Sequence, residues 1–181
     1  MTGTAGLALF PTAIGRCALA WDEQSLLGVQ LPEARDAATI ARLRRHCPGV
    51  PQADPPPWVM QAIGRIQALL QGQPDDLADI PLDLDSVPPF NRRVYEITRA
   101  IAPGRTLTYG EVAQRLGEPG AARAVGQALG HNPFAPVVPC HRVLAAHSGA
   151  GGFSAQGGVA TKLRMLQIEK ARLGSEPGLF D

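Results

Sequence analysis

Residues 106–144 read TLTYGEVAQRLGEPGAARAVGQALGHNPFAPVVPCHRVL, and this stretch carries the clearest structural signals in the 181-residue chain. Thr108, followed three residues later by Glu111, is typical of a capping box at the start of a helix. The Gly-Glu-Pro-Gly sequence at 117–120 interrupts that helix, and a second is expected from about Ala121 to Leu129. Two short helices around a glycine turn predict a helix-turn-helix, an arrangement that also occurs in proteins that never touch DNA.

The same stretch ends on a cysteine and a histidine side by side. Pro139 is expected to hold the chain extended before Cys140, and His141 is a base whose pKa suits proton transfer near neutrality. Arg142 adds positive charge that favours a thiolate, which a nucleophilic cysteine needs. These neighbours fit a catalytic nucleophile. The alternative is an inert buried cysteine, because adjacent residues on a strand point to opposite faces.

The chain before Pro89 is predicted to form a small domain of strands and helices. A hairpin is expected in IGRCALAWDEQSLLGVQL (14–31), and helical periodicity follows in two segments, 36–47 and 56–72. The alternation of Ile80, Leu82 and Leu84 predicts a short strand before a proline-flanked linker. We therefore expect an N-terminal domain over residues 1–88 and a second domain over 89–181.

Charge is distributed unevenly between the two predicted domains. The formal net charge of the chain is only +1, but residues 1–88 carry 6 basic and 10 acidic side chains, and residues 89–181 carry 11 basic and 6 acidic ones. A polyanion would therefore be expected to meet the second half. The N-terminus does not resemble a signal peptide and no apolar run is long enough to span a bilayer, so a soluble, cytoplasmic protein is expected. We also expect it to be a monomer.

The three cysteines, Cys17, Cys47 and Cys140, are odd in number and far apart. This is a poor disulfide framework and fits a reducing compartment. Cys17, His46 and Cys47 lack the paired spacing of known zinc sites, so no metal site is predicted, although the sequence leaves metal binding by these three open. The chain also lacks the phosphate-binding and nucleophile-elbow motifs GxxxxGK, GxGxxG after a strand, and GxSxG.

The segment PCHRV, preceded by TLTYGEVA, RAVG and NP, resembles the signature of the O6-alkylguanine-DNA alkyltransferases, also called methylated-DNA–protein-cysteine methyltransferases. The likeness runs from Pro89-Phe90 to Glu169, and residues 1–88 are compatible with the less constrained N-terminal domain of the family. The resemblance implies an α+β fold: a small ribonuclease H-like α/β domain, then a helical, winged-helix-like domain containing the helix-turn-helix.

The resemblance also implies DNA repair by direct damage reversal. The alkyl group of O6-alkylguanine, and of O4-alkylthymine, would pass irreversibly to the protein's own cysteine in a single turnover, with no cofactor. Cys140 would be the acceptor, His141 would take its proton through a water, and Glu169 would hold the imidazole tautomer. Asn132 would brace the turn between the second helix and the active-site segment, and Tyr109 would donate to the leaving guanine.

Binding to double-stranded DNA through the minor groove is the next implication, with the damaged nucleotide flipped out of the stack. Arg123 would fill the vacated place in the duplex, and Tyr109 would also contact DNA. Close approach would depend on the small residues of the second helix, Ala121, Ala122, Ala124 and Gly126. Because the minor-groove code is degenerate, such a protein should recognise damage rather than sequence.

The resemblance places Pro139, Val143, Phe153 and Ser154 in the substrate pocket. Many relatives carry a tyrosine where this chain has Phe153, and Ala155-Gln156 is inserted before Gly157-Gly158. These differences from the family pattern leave the alkyl-group preference undetermined, but they do not change the expected reaction.

Three alternative functions have different discriminating features. Alkyltransferase-like damage sensors bind alkylguanine without reacting, but they replace the acceptor cysteine that this chain keeps. A helix-turn-helix regulator would leave PCHRV without a role. A cysteine hydrolase would turn over, whereas a thioether is not released by water under mild conditions.

Overall fold

The computed structural model describes residues 5–146 and 158–171. Within these ranges the chain forms a three-stranded antiparallel sheet, a pair of short parallel strands and six α-helices. The elements are β1 (Gly6–Thr12), β2 (Gly15–Trp21), β3 (Leu26–Gln30), α1 (Asp36–Leu43), α2 (Pro57–Leu69), α3 (Pro89–Arg99), β4 (Leu107–Thr108), α4 (Tyr109–Arg115), α5 (Ala122–Gly130), β5 (Val143–Leu144) and α6 (Val159–Ile168). No helix in the described part of the chain is long and apolar enough to cross a bilayer.

The N-terminal sheet is a meander in the order β1-β2-β3. The β1–β2 turn closes at Gly15, whose φ of 120° lies in the region that favours glycine. The predicted hairpin is confirmed as β2 and β3, which pair antiparallel from Ala18 opposite Gln30. Both predicted N-terminal helices are present as α1 and α2, and α2 buries the apolar positions that its periodicity indicated.

The predicted strand over Ile80–Leu84 is wrong. This segment makes a single parallel bridge, between Leu82 and Leu26, and is otherwise turn and irregular backbone. Its apolar side chains still pack on the core, with Ile80 buried. Alternation of apolar residues thus indicated burial but not a strand, because pairing with β3 is limited to the one bridge at Leu26.

The predicted helix pair is confirmed as α4 and α5. Thr108 Oγ1 accepts the Glu111 amide at 3.0 Å, and Glu111 Oε1 accepts the Thr108 amide at 2.8 Å, which completes the capping box. Gly117, with φ of 78°, follows Leu116, the C-cap residue of α4. The Glu118 amide donates to Ala113 O and the Gly117 amide to Gln114 O, so α4 ends in a Schellman motif.

Two contacts hold the segment after α5 in place. The Val29 amide of β3 donates to Pro133 O at 2.9 Å, which ties the N-terminal sheet to this segment. β4 pairs parallel with β5, in the register Leu107–Val143 and Thr108–Leu144. A hydrophobic core extends through both halves of the chain and includes Trp21, Tyr95, Phe134 and Val137.

Candidate active site

Cys140 opens a 3-10 turn, Cys140–Arg142, rather than ending a strand. The segment before Cys140, which the sequence predicts to be extended, forms turns instead, and strand β5 follows Cys140–Arg142 and is two residues long. Pro139 disfavours the preceding ladder because it has no amide to donate. Cys140 is 7% exposed, and its amide donates to Val138 O at 2.8 Å.

Asn132 bridges the end of α5 and the segment that precedes Cys140. Its Nδ2 donates to Val138 O at 2.8 Å, and its Oδ1 accepts the Phe134 amide at 2.9 Å. The Asn132 side chain also lowers the pKa of the Cys140 thiol, against the effect of burial. Asn132 therefore lies where a residue would fix the thiol relative to α5.

His141, Arg142 and Glu169 form a buried cluster next to Cys140. His141 Nε2 lies 3.0 Å from Glu169 Oε2, and all three side chains are 1–3% exposed. Arg142 binds both oxygens of the same carboxylate, with Nε 2.9 Å from Oε1 and Nη2 2.6 Å from Oε2. Its Nη1 donates to Ile101 O at 2.8 Å, so the guanidinium is anchored to the end of α3 as well.

The cluster has a defined protonation state. Burial alone would raise the pKa of Glu169, but its interactions with His141 and Arg142 outweigh that effect and lower the pKa to about 2. Burial lowers the pKa of His141, against the opposing effect of Glu169. A carboxylate facing a neutral imidazole accepts the Nε2 proton, which leaves Nδ1 as the acceptor. His141 Nδ1 is buried and has no hydrogen-bond partner among the described residues.

Lys162, on α6, is a site residue that the sequence reasoning missed. It is 1% exposed, donates from Nζ to Val143 O at 2.8 Å, and burial lowers its pKa to about 8. Burial raises the pKa of Cys140, while the Asn132 hydrogen bond and the charge of Lys162 lower it. The cation that acts on the thiol is thus Lys162 and not Arg142, because the Arg142 guanidinium is turned to Glu169.

Tyr109, the first residue of α4, packs in the same core cluster as Cys140. Lys162 Nζ lies 5.7 Å from the centre of its ring. Burial and then the charge of Cys140 raise the pKa of the phenol, so it is a proton donor across the neutral range. A Cβ at Gly126 would lie 3.9 Å from the same ring, which places the tyrosine directly against α5.

Helix α5 presents an outer face with one cation. Arg123 is exposed near its start, and the four small residues predicted to permit close approach are each partly exposed: Ala121, Ala122, Ala124 and Gly126. The helix is held from behind by Tyr95, whose hydroxyl donates to Ala128 O at 2.7 Å.

Part of the predicted pocket lies outside the described residues, namely Phe153, Ser154, the Ala155-Gln156 insertion and Gly157. Pro139 and Val143 flank the Cys140–Arg142 turn and are both buried. The structure therefore brings together Cys140, His141, Glu169, Tyr109 and Asn132, with Arg123 apart from them on the surface of α5.

The other two cysteines differ from Cys140 in their surroundings. Burial raises the pKa of Cys17 to about 12 and that of Cys47 to about 11, and no lysine or arginine charge opposes the shift in either case. Within the described ranges, no three His, Cys, Asp or Glu side chains are grouped to hold a metal ion.

A family of known proteins matches the half of the chain that carries these residues. The family model described as "6-O-methylguanine DNA methyltransferase, DNA binding domain" matches residues 89–171. A methylated-DNA–protein-cysteine methyltransferase of Mycobacterium tuberculosis (strain ATCC 25618 / H37Rv) is 42% identical over 120 residues, which cover 66% of this chain and 70% of that relative. One from Methanothermobacter thermautotrophicus is 39% identical over 121 residues, covering 67% of this chain and 66% of its own.

Solved structures extend the likeness to the whole chain. The crystal structure of Mycobacterium tuberculosis O6-methylguanine methyltransferase has a TM-score of 0.74 at 33% identity, covering 98% of this chain and 100% of that one. The Mycobacterium tuberculosis OGT in complex with DNA has a TM-score of 0.73 at 34% identity, covering 97% of this chain and 99% of that one.

Proposed function

Since the chain belongs to the family of methylated-DNA–protein-cysteine methyltransferases, we infer that it repairs DNA by moving an alkyl group from O6-alkylguanine to its own Cys140. The observation that carries this assignment is the buried thiol set between a His141–Glu169 pair and the Lys162 ammonium. A damage sensor would need none of this machinery. The retained cysteine and its neighbours therefore favour reaction over recognition alone.

The first step is removal of the thiol proton. His141 Nδ1 is the free acceptor, and a water between Nδ1 and Cys140 Sγ carries the proton across. Glu169 holds the imidazole in the required tautomer and stabilises the imidazolium that forms. Arg142 in turn fixes both oxygens of that carboxylate, so the orienting group cannot rotate away.

The second step is an in-line displacement at the alkyl carbon. The Cys140 thiolate forms the S–C bond as the C–O6 bond of the base breaks, and the electron pair leaves with guanine. Tyr109 donates a hydrogen bond to the departing base and neutralises the charge that develops on it. The product is a thioether that water does not cleave under mild conditions, so each molecule reacts once. O4-alkylthymine would react in the same way.

DNA is engaged as a duplex through α5. The small residues on its outer face allow the helix to enter the minor groove, and exposed Arg123 takes the place of the flipped nucleotide. One molecule acts alone on each lesion, without a cofactor. The finer fold assignment, a ribonuclease H-like N-terminal domain and a winged-helix-like second domain divided near residue 88, belongs to the same proposal, as does a cytoplasmic location.

Comparison of Cys140→Ser with the wild-type protein tests the assignment. We expect the variant to lose methyl transfer from a duplex containing O6-methylguanine and to bind that duplex with an affinity close to wild type. Loss of transfer and of binding together, with a lower melting temperature, would make Cys140 a structural residue. Binding without transfer in the wild-type protein itself would make the chain a damage sensor.

A further inference from the structure

A cleft between the end of α1 and the end of α5 leads to the active-site cysteine from the N-terminal side. Its cavity of about 230 Å³ is bounded by both helices and by β3, and Cys140 and Asn132 form part of its wall. We call it the α1–α5 cleft. It is distinct from the outer face of α5 that carries Arg123.

Positive charge is concentrated around this cleft. Arg42 and Arg45 line it from α1 and the turn that follows, beside His46, and His131 lines it from the end of α5. Among the described residues, no Asp or Glu side chain contributes to the wall. The four groups are close enough to interact, because burial and then the charges of Arg42, Arg45 and His131 lower the pKa of His46. This concentration is unexpected, since the first 88 residues carry a net negative charge.

Some of the cations around the cleft already have partners at the helix ends or in ion pairs. Carbonyl ends of helices favour nearby cations, and His131 Nδ1 lies 2.7 Å from Gln127 O. Arg42 is partly neutralised by Glu33, at 3.5 Å. Arg45, in contrast, is exposed and forms no ion pair or side-chain hydrogen bond within the part of the chain that the structure describes. An unpaired arginine at the mouth of a basic cleft is a ready donor to a phosphate.

The position of the cleft relative to α5 indicates which phosphate of the DNA it could bind. Helix α5 has nine residues and is about 13 Å long, whereas the minor groove is about 6 Å wide. With Arg123 near one end of the helix inside the groove and the helix axis crossing the groove, the other end would extend over the sugar–phosphate backbone that borders it. That end is the one that forms the α1–α5 cleft with Arg45.

We propose that the α1–α5 cleft binds a backbone phosphate of the duplex being repaired, with Arg45 as its main contact, so that the N-terminal half of the chain also holds DNA. The proposal rests on the proposed function, since it takes the alkylated duplex as the ligand. Arg45 positions the duplex and does not touch the reacting atoms.

The salt dependence of binding tests the proposal. The slope of log affinity against log salt is negative, and each phosphate contact that is lost reduces its magnitude by about 0.9. We expect Arg45→Ala to reduce the magnitude of the slope for an O6-methylguanine duplex by about this amount between about 50 and about 200 mM salt. Arg45→Lys should recover most of it. The matched control is Arg44→Ala, which removes the same charge from the neighbouring exposed position outside the cleft and should leave the slope at its wild-type value.

Two results would overturn the proposal: a wild-type slope for Arg45→Ala, or an equal fall for Arg44→Ala, which would mean that only the overall charge matters. Melting temperatures of both variants exclude misfolding as the cause. Methyl transfer by the wild-type protein is measured in the same preparation. If the wild-type protein transfers the methyl group but the slopes are as above, only the phosphate contact is wrong; if it transfers none, the proposed function itself is wrong.

Discussion

At the scale of single residues, burial is the largest influence on the pKa of the Cys140 thiol, and it raises that pKa. Burial alone would keep the thiol protonated, and the Asn132 hydrogen bond and the Lys162 ammonium act against it. Lys162 is buried and its Nζ donates to the Val143 carbonyl, so the fold bears a desolvation cost to keep a cation there. Such a cost is typical of a functional site rather than of a packing residue.

Replacement of Lys162 by methionine should make Cys140 less reactive. We expect the pH at which iodoacetamide reacts half-maximally with Cys140 to rise, and the rate near neutral pH to fall several-fold, because the thiolate loses a stabilising charge. The rate is followed on the Cys140 peptide by mass spectrometry. Lys170→Met, which removes the other lysine of the chain at an exposed position, is the control. A wild-type pH profile for Lys162→Met would rule out this role for the lysine.

The PCHRV motif and its resemblance to the family predicted the residues of the candidate active site that lie close to Cys140 in sequence or that the family pattern specifies. It could not predict Lys162, because a lysine is ordinarily exposed and only the fold shows this one to be buried. The single available signal was its spacing: Lys162 and Glu169 are seven residues apart, which places them on one face of α6. The same limit applies to Arg142, because its position in the sequence predicts a charge beside the thiol but not its bidentate contact with Glu169.

At the scale of elements, the capping box that stabilises the start of α4 also positions a residue of the candidate active site. Thr108 closes the box and belongs to β4, and the next residue is Tyr109. The box therefore fixes where the helix begins and with it the position of the phenol. Such caps can be predicted from sequence because their partners are three residues apart, whereas the strand predicted at Ile80–Leu84 needed continuous pairing with a distant strand and makes only one bridge, to Leu26 of β3.

Thr108→Ala should destabilise the protein by about 1 kcal/mol, the usual contribution of an N-cap side chain. The reason is loss of the acceptor for the Glu111 amide. Urea unfolding measures the change, and Thr108→Ser should restore it because serine keeps the hydroxyl. An equal loss in both variants would mean that the methyl group and not the hydroxyl of Thr108 matters.

Arg123→Ala should separate DNA engagement from thiol chemistry. We expect repair of O6-methylguanine in duplex DNA to slow by at least tenfold, in keeping with the few kcal/mol that flipping costs, while reaction with free O6-benzylguanine slows far less. Single-turnover rates on both substrates give the comparison. Arg115→Ala, an exposed arginine at the end of α4, is the control. Equal slowing on both substrates would contradict the assigned role of Arg123.

At the scale of the whole molecule, the ion cluster at Glu169 joins three parts of the C-terminal half. It ties α6 to the Cys140–Arg142 turn, and Arg142 continues to Ile101 after α3. The pKa of Glu169 is about 2 in the folded protein and near 4.5 in an ordinary setting. Because the folded value is the lower one, the carboxylate stabilises the fold fully above about pH 4.5, and this stabilisation is lost as the pH falls toward 2.

Acid unfolding of Glu169→Gln tests this linkage. We expect the variant to be less stable than wild type by roughly 3–5 kcal/mol at neutral pH, because it leaves Arg142 buried without its counter-ion. The difference should shrink as the pH falls below about 4.5, since wild type then loses the same charge. Urea unfolding at a series of pH values measures it. A difference that stays constant down to about pH 3 would contradict the assigned pKa shift.

The most direct test of the central claim is the mass of the protein after incubation with a duplex that contains one O6-methylguanine. The account predicts a gain of one methyl group, located on the Cys140 peptide, with transfer stopping at one equivalent per protein molecule and none to Cys17 or Cys47. An unchanged mass after stoichiometric binding, or a methyl group on either of the other cysteines, would contradict it.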